Sequence, residues 1–309
     1  MRPPTEPPRL RHLIAAAREK PPLRIAIVNP VDAMDLQAIL EAGDLISPFL
    51  IGPKAAIDRA LENAGITLGA CTYVEAANAQ QAARAAVELA RHGEVDALMK
   101  GSLHSDDFMR AILAAEELRT SRRMSHVAVI ETVALPRLLL ISDGAINIAP
   151  DLAAKRDIVQ NAIDVARAVG VDVPKVAILA AVETVSSQLP ATIDAAALAK
   201  MADRRQITGG VVDGPLALDD AVSPEAARIK EIASPVAGYA DVLIAPDLDA
   251  ANMLFKEIEY LAKGLCADVV AGARVPIVLT SRADDAFTRV ASLALAQLIR
   301  RENATLSSQ

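Results

Sequence analysis

Four stretches of this chain place charged and hydroxyl side chains directly after apolar runs, where a strand would hand over to a helix. In "LMKGSLHSDDF" (98–108), Lys100, Gly101 and Ser102 follow an apolar pair, and His104 and Ser105 lead onward. A glycine there lets the backbone approach a ligand, the lysine adds a point charge, and the N–H groups that open a helix favour an anion. The same residues have a plain structural use, in which Ser105, Asp106 and Asp107 cap the helix. "LRTSRRMSH" (118–126) carries Arg119, Arg122 and Arg123, three guanidiniums within five residues. Such a group can hold the phosphates of a nucleotide-like ligand through paired N–H bonds, or it is a solvated loop. In "ISDGAINIAP" (141–150), Asp143 and Asn147 are placed to orient a small substrate, although Asp143-Gly144 is equally a turn pair. In "PIVLTSRADDAF" (276–287), Ser281-x-x-Asp284 fits a capping box, and Asp284 and Asp285 suit the positive end of a helix. Capping does not account for Arg282, which that dipole disfavours unless it faces an anion.

The elements that must position these loops follow from hydrophobic period. Short apolar runs recur between segments of 3.6-residue period, which is the pattern of βα units around a mainly parallel sheet. Strands are expected at "LRIAIVN", "SPFLIG", "CTYVE" and "DALMK", with helices over 34–42, 54–63 and 76–92 between them. "HVAVIET" and "RLLLIS" follow, joined through Leu135-Pro136, and predict a hairpin or a strand pair outside the simple βα pattern. Asp151 is the expected N-cap of a long helix over 151–169. Strands at "KVAILAA", "GGVVDG", "DVLIAP" and "VPIVLT" then alternate with helices near 194–202, 223–233, 249–263 and 284–300. Breaks at 142–151 and 265–275 suggest two subdomains, 23–149 with 275–309 and 150–274, and a cleft between them. Residues 1–22 read as a flexible leader with a short amphipathic helix over 9–19. In parallel sheets ligands sit beyond the carboxyl ends of the strands, so the four polar loops are where a site is expected.

Bulk properties narrow the chemistry. With 309 residues there is room for one large α/β domain or two linked ones. Aromatic residues make up 2% of the chain, so Ala, Val, Ile and Leu must build the core and no aromatic platform for nucleic acid exists. A formal net charge of −7 argues against coating a polyanion such as DNA or RNA, so any bound polyanion must be small. Prolines and charges interrupt the N-terminal stretch where a signal peptide needs an apolar run, and no apolar run reaches the roughly 20 residues that span a bilayer. The expectation is a cytoplasmic protein with no membrane partner. Cys71 and Cys266 have no metal-site spacing and are expected as buried free thiols. His12, His92, His104 and His126 are too dispersed to specify a metal. Nicotinamide, Walker-type, zincin and nucleophile-elbow motifs are absent.

Taken in order, the segments "MKGSLHSDDFM", "LRTSRRMSHV", "ISDGAINIAPDLAAKRDIVQNAID", "VAILAAVETV", "DAAALAKMADRRQITGGVVDGPLALDDAVSPEAA", "SPVAGYADVLIAPDLDAANM" and "GARVPIVLTSRAD" resemble the phosphate acetyl/butyryltransferase family, closest to its butyryl branch. The resemblance covers about 24–300. It implies a two-lobed α/β fold similar to isocitrate and isopropylmalate dehydrogenases. It also implies reversible transfer of a short acyl group between coenzyme A and inorganic phosphate, without metal or nicotinamide, by a homo-oligomer. Coenzyme A, acyl-CoA, acyl phosphate and phosphate are the implied partners. Ser281 would approach the thiol and Arg282 would hold the acyl phosphate. Lys100, Gly101, Ser102, His104, Arg119, Arg122, Arg123, Asp143, Asn147, Asp213 and Asn252 fall in the matched segments as substrate-binding candidates. The family's proposed base is an aspartate later on the helix, where this chain has Thr288, so Asp284 or Asp285 must substitute, with Asp284 preferred. Ala251 stands where the family pattern has glycine. Two other readings share these loops: an acyl-carrier-protein acyltransferase or dehydrogenase of the same fold, and a non-catalytic coenzyme A or acyl-phosphate sensor.

Overall fold

A computed structural model describes residues 9–281 and 283–300. In chain order its elements begin with α1 (Arg9–Arg18), β1 (Leu23–Val28), α2 (Ala33–Ala42), β2 (Ile46–Gly52), α3 (Lys54–Ala64), β3 (Thr72–Glu75), α4 (Ala79–Arg91), β4 (Ala97–Lys100) and α5 (Ser105–Ala114). Next come β5 (Ser125–Glu131), β6 (Leu139–Ser142), α6 (Leu152–Ala168), β7 (Lys175–Leu179), α7 (Pro190–Asp203), β8 (Val211–Leu216), α8 (Leu218–Val222), α9 (Pro224–Ile229), β9 (Val242–Ile244) and α10 (Leu248–Lys256). The chain closes with β10 (Leu265–Ala271), β11 (Ile277–Val278) and α11 (Ala286–Ile299).

Two compact units divide the chain, one from Leu10–Arg122 with residues from Ala267 onward, the other from Arg123–Cys266. These boundaries differ from 149/150 and 274/275, because β5 and β6 pair antiparallel with each other and β6 continues in parallel to β9, which keeps both strands with the later part of the chain. In the first unit the strand order is β3-β2-β1-β4-β11-β10, parallel except where β10 meets β11. The second unit runs β5-β6-β9-β7-β8 and is parallel from β6 onward.

Each unit has its own aliphatic core. In the first, Leu23, Ile25 and Ile27 of β1 pack with Leu36 and Ile39 of α2 and Leu293 of α11. In the second, Ile130, Leu139, Leu243 and Phe255 lie in one cluster. The expectation of a flexible leader fails over 9–22: Leu10 and Ala17 are fully buried on α1, and Gln297 of α11 donates to the Pro21 carbonyl. Residues 1–8 lie outside those described. A strand, β10, fills part of the stretch read as a break, with Asp268 interrupting its apolar run. Cys266 is buried as expected, whereas Cys71 is half-buried.

Candidate functional site

Strand order locates the crevice in the first unit. After β1 the chain moves outward to β2 and β3, then returns to place β4 on the other side of β1, so the loops leaving β1 and β4 diverge and leave a gap at their carboxyl ends. β11 lies beside β4 in parallel and sends the 279–285 segment to the same edge. A cavity of about 290 Å³ sits there, lined by Asp32 and Asp35 after β1, by Lys100, Gly101, Ser102, Leu103 and His104 after β4, and by Ser281 and Arg289 after β11.

Backbone stitching makes the floor rigid. Gly101 N–H donates to the Val28 carbonyl at 3.0 Å, Ser102 N–H to the Asn29 carbonyl at 3.0 Å, and Asn29 Nδ2 returns a bond to the Ser102 carbonyl at 2.8 Å. Asn29 sits at φ 53, a left-handed conformation that asparagine adopts more readily than most residues. A Cβ at position 101 would run into the Val28 and Asn29 carbonyl oxygens, so glycine is required by close approach. Thr280 Oγ1 donates to the Lys100 carbonyl at 3.2 Å and ties the end of β11 to the end of β4. Lys100 is buried, with its Nζ 3.4 Å from the Gly101 carbonyl. α5 opens at His104 with no side chain capping it, so Ser105, Asp106 and Asp107 are not the cap the sequence suggested.

Across the cavity, Arg289 organises the turn that carries Ser281. Its Nε donates to the Asp284 carbonyl at 3.2 Å and its Nη2 to the Ser281 carbonyl at 3.0 Å, while Nη1 pairs with Asp35 Oδ1. Asp35 Oδ2 accepts from the Ser102 hydroxyl at 3.2 Å. Burial pushes the Asp35 carboxyl above its usual range; the Arg289 charge, the Ser102 hydroxyl and Lys100 pull it down, Asp32 adds to the rise, and burial prevails. The expected capping box is only half formed and does not open the helix, because α11 starts at Ala286 with Asp285 as its N-cap, accepting from Thr288 N–H at 2.8 Å. Asp284 Oδ2 still accepts from Ser281 N–H at 2.7 Å, the return bond of such a box, while Ser281 Oγ accepts from Ala283 N–H at 3.3 Å. Arg282 lies outside the described residues.

The remaining candidates lie elsewhere. Arg119 Nε donates to the Leu113 carbonyl at 3.1 Å and closes the turn after α5. The Arg122 N–H bonds Thr120 Oγ1 at 3.1 Å. In the second unit, Arg123 and Asn147 line a cavity of about 380 Å³ with Ile148 and Asp151. Asp143 is buried and accepts from the N–H groups of His126, Ala145, Ile146 and Asn147 and from Asn147 Nδ2, so it builds the turn. Asn252 Nδ2 donates to the Gly144 carbonyl at 3.0 Å, and Asp213 Oδ1 accepts from Gly214 N–H at 2.9 Å. Among the described residues the carboxylates grouped closely enough to hold an ion are Glu183, Asp219 and Asp220. Lys230 Nζ lies 3.0, 2.9 and 3.1 Å from them, so an ammonium already sits among the three carboxylates and offsets part of their charge. A hydrogen bond from Asp220, with help from Lys230, holds Glu183 at about 2.

Thus the cavity in the first unit gathers Lys100, Gly101, Ser102, His104 and Ser281, and adds Asp32, Asp35 and Arg289, which sequence reasoning missed. The family model for phosphate acetyl/butaryl transferase matches residues 65–297, which span β4, α5 and the Ser281 turn. The chain belongs to this family. A phosphate acetyltransferase of Rhizobium meliloti is 51% identical over 298 residues, covering 96% of this chain and 94% of the relative. A phosphate butyryltransferase of Clostridium beijerinckii is 39% identical over 294 residues, covering 94% and 97%. The crystal structure of a branched-chain phosphotransacylase from Enterococcus faecalis V583 aligns with TM-score 0.77 at 28% identity, covering 91% of this chain and all of that one. This phosphate acetyl/butyryltransferase relative keeps the βα architecture expected from its sequence. No helix among the described residues is long and apolar enough to cross a membrane.

Proposed function

We propose that this protein transfers a short acyl group reversibly between coenzyme A and inorganic phosphate, with the cavity at the β1, β4 and β11 ends holding the reacting groups. The observation that carries the reading is the meeting of Lys100, the uncapped start of α5 and the Ser281 hydroxyl in one cavity. A lysine ammonium and helix N–H groups suit the phosphate of an acyl phosphate, and a hydroxyl suits the sulfur that attacks its acyl carbon. Arg282, by its place in the family pattern, adds a guanidinium for the acyl phosphate.

A free thiol has a pKa of about 8.5, so only a few per cent is thiolate at neutral pH and a positioned base assists. The thiolate attacks the acyl carbonyl carbon, the C–S bond forms, and the bond to phosphate oxygen breaks. Developing negative charge falls toward Lys100 and the start of α5. Phosphate leaves readily, so transfer proceeds directly in a ternary complex, with coenzyme A as substrate and no metal. Family resemblance supports a cytoplasmic homo-oligomer. The test is to mix the protein with acetyl-, propionyl- and butyryl-CoA plus phosphate and follow free thiol. Phosphate-dependent release with at least one is expected; none with any would remove the reading.

A further inference from the structure

The base is the part of this mechanism for which the sequence offered Asp284 or Asp285, and neither carboxylate lines the cavity. Asp285 caps α11 and is exposed to solvent, whereas Asp284 accepts from the backbone of its own turn. The carboxylates among the lining residues are Asp32 and Asp35. Asp32 Oδ1 accepts from Met34 N–H at 2.8 Å and caps α2 from an exposed position. Asp35 differs in kind. It is 2% exposed, and its Oδ2 stands behind the Ser102 hydroxyl at 3.2 Å.

We propose that Ser102 and Asp35 form a proton relay that accepts the coenzyme A thiol proton, with Arg289 fixing the relay and the Ser281 turn in one frame. This rests on the acyltransfer reading above. The S–H bond breaks as the proton passes to Ser102 Oγ, while the Ser102 proton passes to Asp35 Oδ2. The sulfur electron pair forms the thioester bond, and the phosphate leaves with the electron pair of the broken C–O bond. The proton on Asp35 then returns through Ser102 to the departing phosphate, which leaves as hydrogenphosphate and restores the carboxylate. In the reverse direction the same pair protonates the leaving thiolate.

The groups around Asp35 are consistent with that task. Arg289 reaches it from α11, Lys100 from β4, and Asp32 from its own first turn, and burial outweighs the two cations to raise the carboxyl. A raised carboxyl is a stronger base than an exposed one and remains ionised at working pH only above its raised value. Activity carried by the relay is therefore lost as the pH falls through a value above the ordinary carboxylate range.

The test follows thioester formation from acyl phosphate and coenzyme A by Asp35→Asn across pH 6 to about 9, a span chosen to bracket the thiol pKa. The expected kcat falls by roughly 10²-fold or more at neutral pH, the deficit shrinks toward the thiol pKa, KM for acyl phosphate changes little, and Asp35→Glu restores part of the rate. A deficit constant with pH, or a loss confined to KM, would overturn the relay. Should Asp35→Asn fail to fold, Ser102→Ala leaves the Asp35–Arg289 pair intact; a pH-dependent loss of kcat is expected, and a wild-type kcat overturns the relay. Wild-type protein inactive with every acyl phosphate would instead sink the acyltransfer reading itself.

Discussion

A buried guanidinium is held by its acceptors, and Arg289, 3% exposed, donates from Nε, Nη1 and Nη2 to groups of two separate elements. Removing one member of such a pair leaves the other charged and desolvated, which typically costs about 3–5 kcal/mol, whereas apolar replacement of both is much milder. Arg289→Met is therefore expected to lower the unfolding free energy by about that amount in urea titration. The double change Asp35→Leu with Arg289→Met should recover part of the loss, and a fully additive result would mean that the two do not interact. Little of this was legible in the sequence. Asp35 reads there as an acid in the first turn of α2, which the helix dipole favours anyway, and Arg289 reads as one charge within the α11 pattern. What marks them is burial and pairing across 254 positions of chain, and no local spacing encodes that. Ser281, Lys100 and Gly101, by contrast, stood out because polar residues followed an apolar run.

At the level of elements, the site depends on how closely the loop after β4 lies on the end of β1. Gly101→Ala forces a methyl group against the Val28 and Asn29 carbonyls, neither of which can yield without opening the β1–β4 pairing. Overpacking of this kind costs about 1–3 kcal/mol, so a lowered midpoint of thermal unfolding is expected together with lost acyltransfer; a variant with both unchanged would contradict the close approach. Most elements were readable because their ends carry local chemistry. Asp151 caps α6 and accepts from Ala154 N–H at 2.7 Å, as its position predicts. "HVAVIET" and "RLLLIS" pair antiparallel, as their proline-containing connection suggested. The errors fall where tertiary contacts override pattern. β10 hides behind Asp268, whose N–H is bonded by Ser292 Oγ of α11 at 2.8 Å, and β11 contributes two residues of the longer run "VPIVLT". α11 begins at Ala286 because Asp285, the acid next to the one the box pattern selected, adopts the capping conformation.

Across the whole molecule, alternation of strands and helices sufficed to give the α/β class, since each short apolar run must be covered by a helix on a parallel sheet. Strand order is a different matter, because the order β3-β2-β1-β4-β11 is decided by packing of distant segments. That order creates the divergence between the β1 and β4 loops, and with it the cavity. This is why the loop after β1, "NPVDAMD", escaped notice while the loops after β4 and β11 did not. Acyl preference also belongs to this scale. Relatives carry both acetyl- and butyryltransferase names, and one methylene in a pocket is worth about 1–3 kcal/mol, so pocket volume decides it. If the cavity at the β1, β4 and β11 ends performs acyl transfer, Ser281→Ala must slow phosphate-dependent thiol release. The variant should remain folded by thermal melting and lose roughly 10²-fold in kcat, the usual effect of removing one positioned hydrogen-bonding group at a reacting centre. A folded Ser281→Ala protein releasing thiol at the wild-type rate would contradict the account.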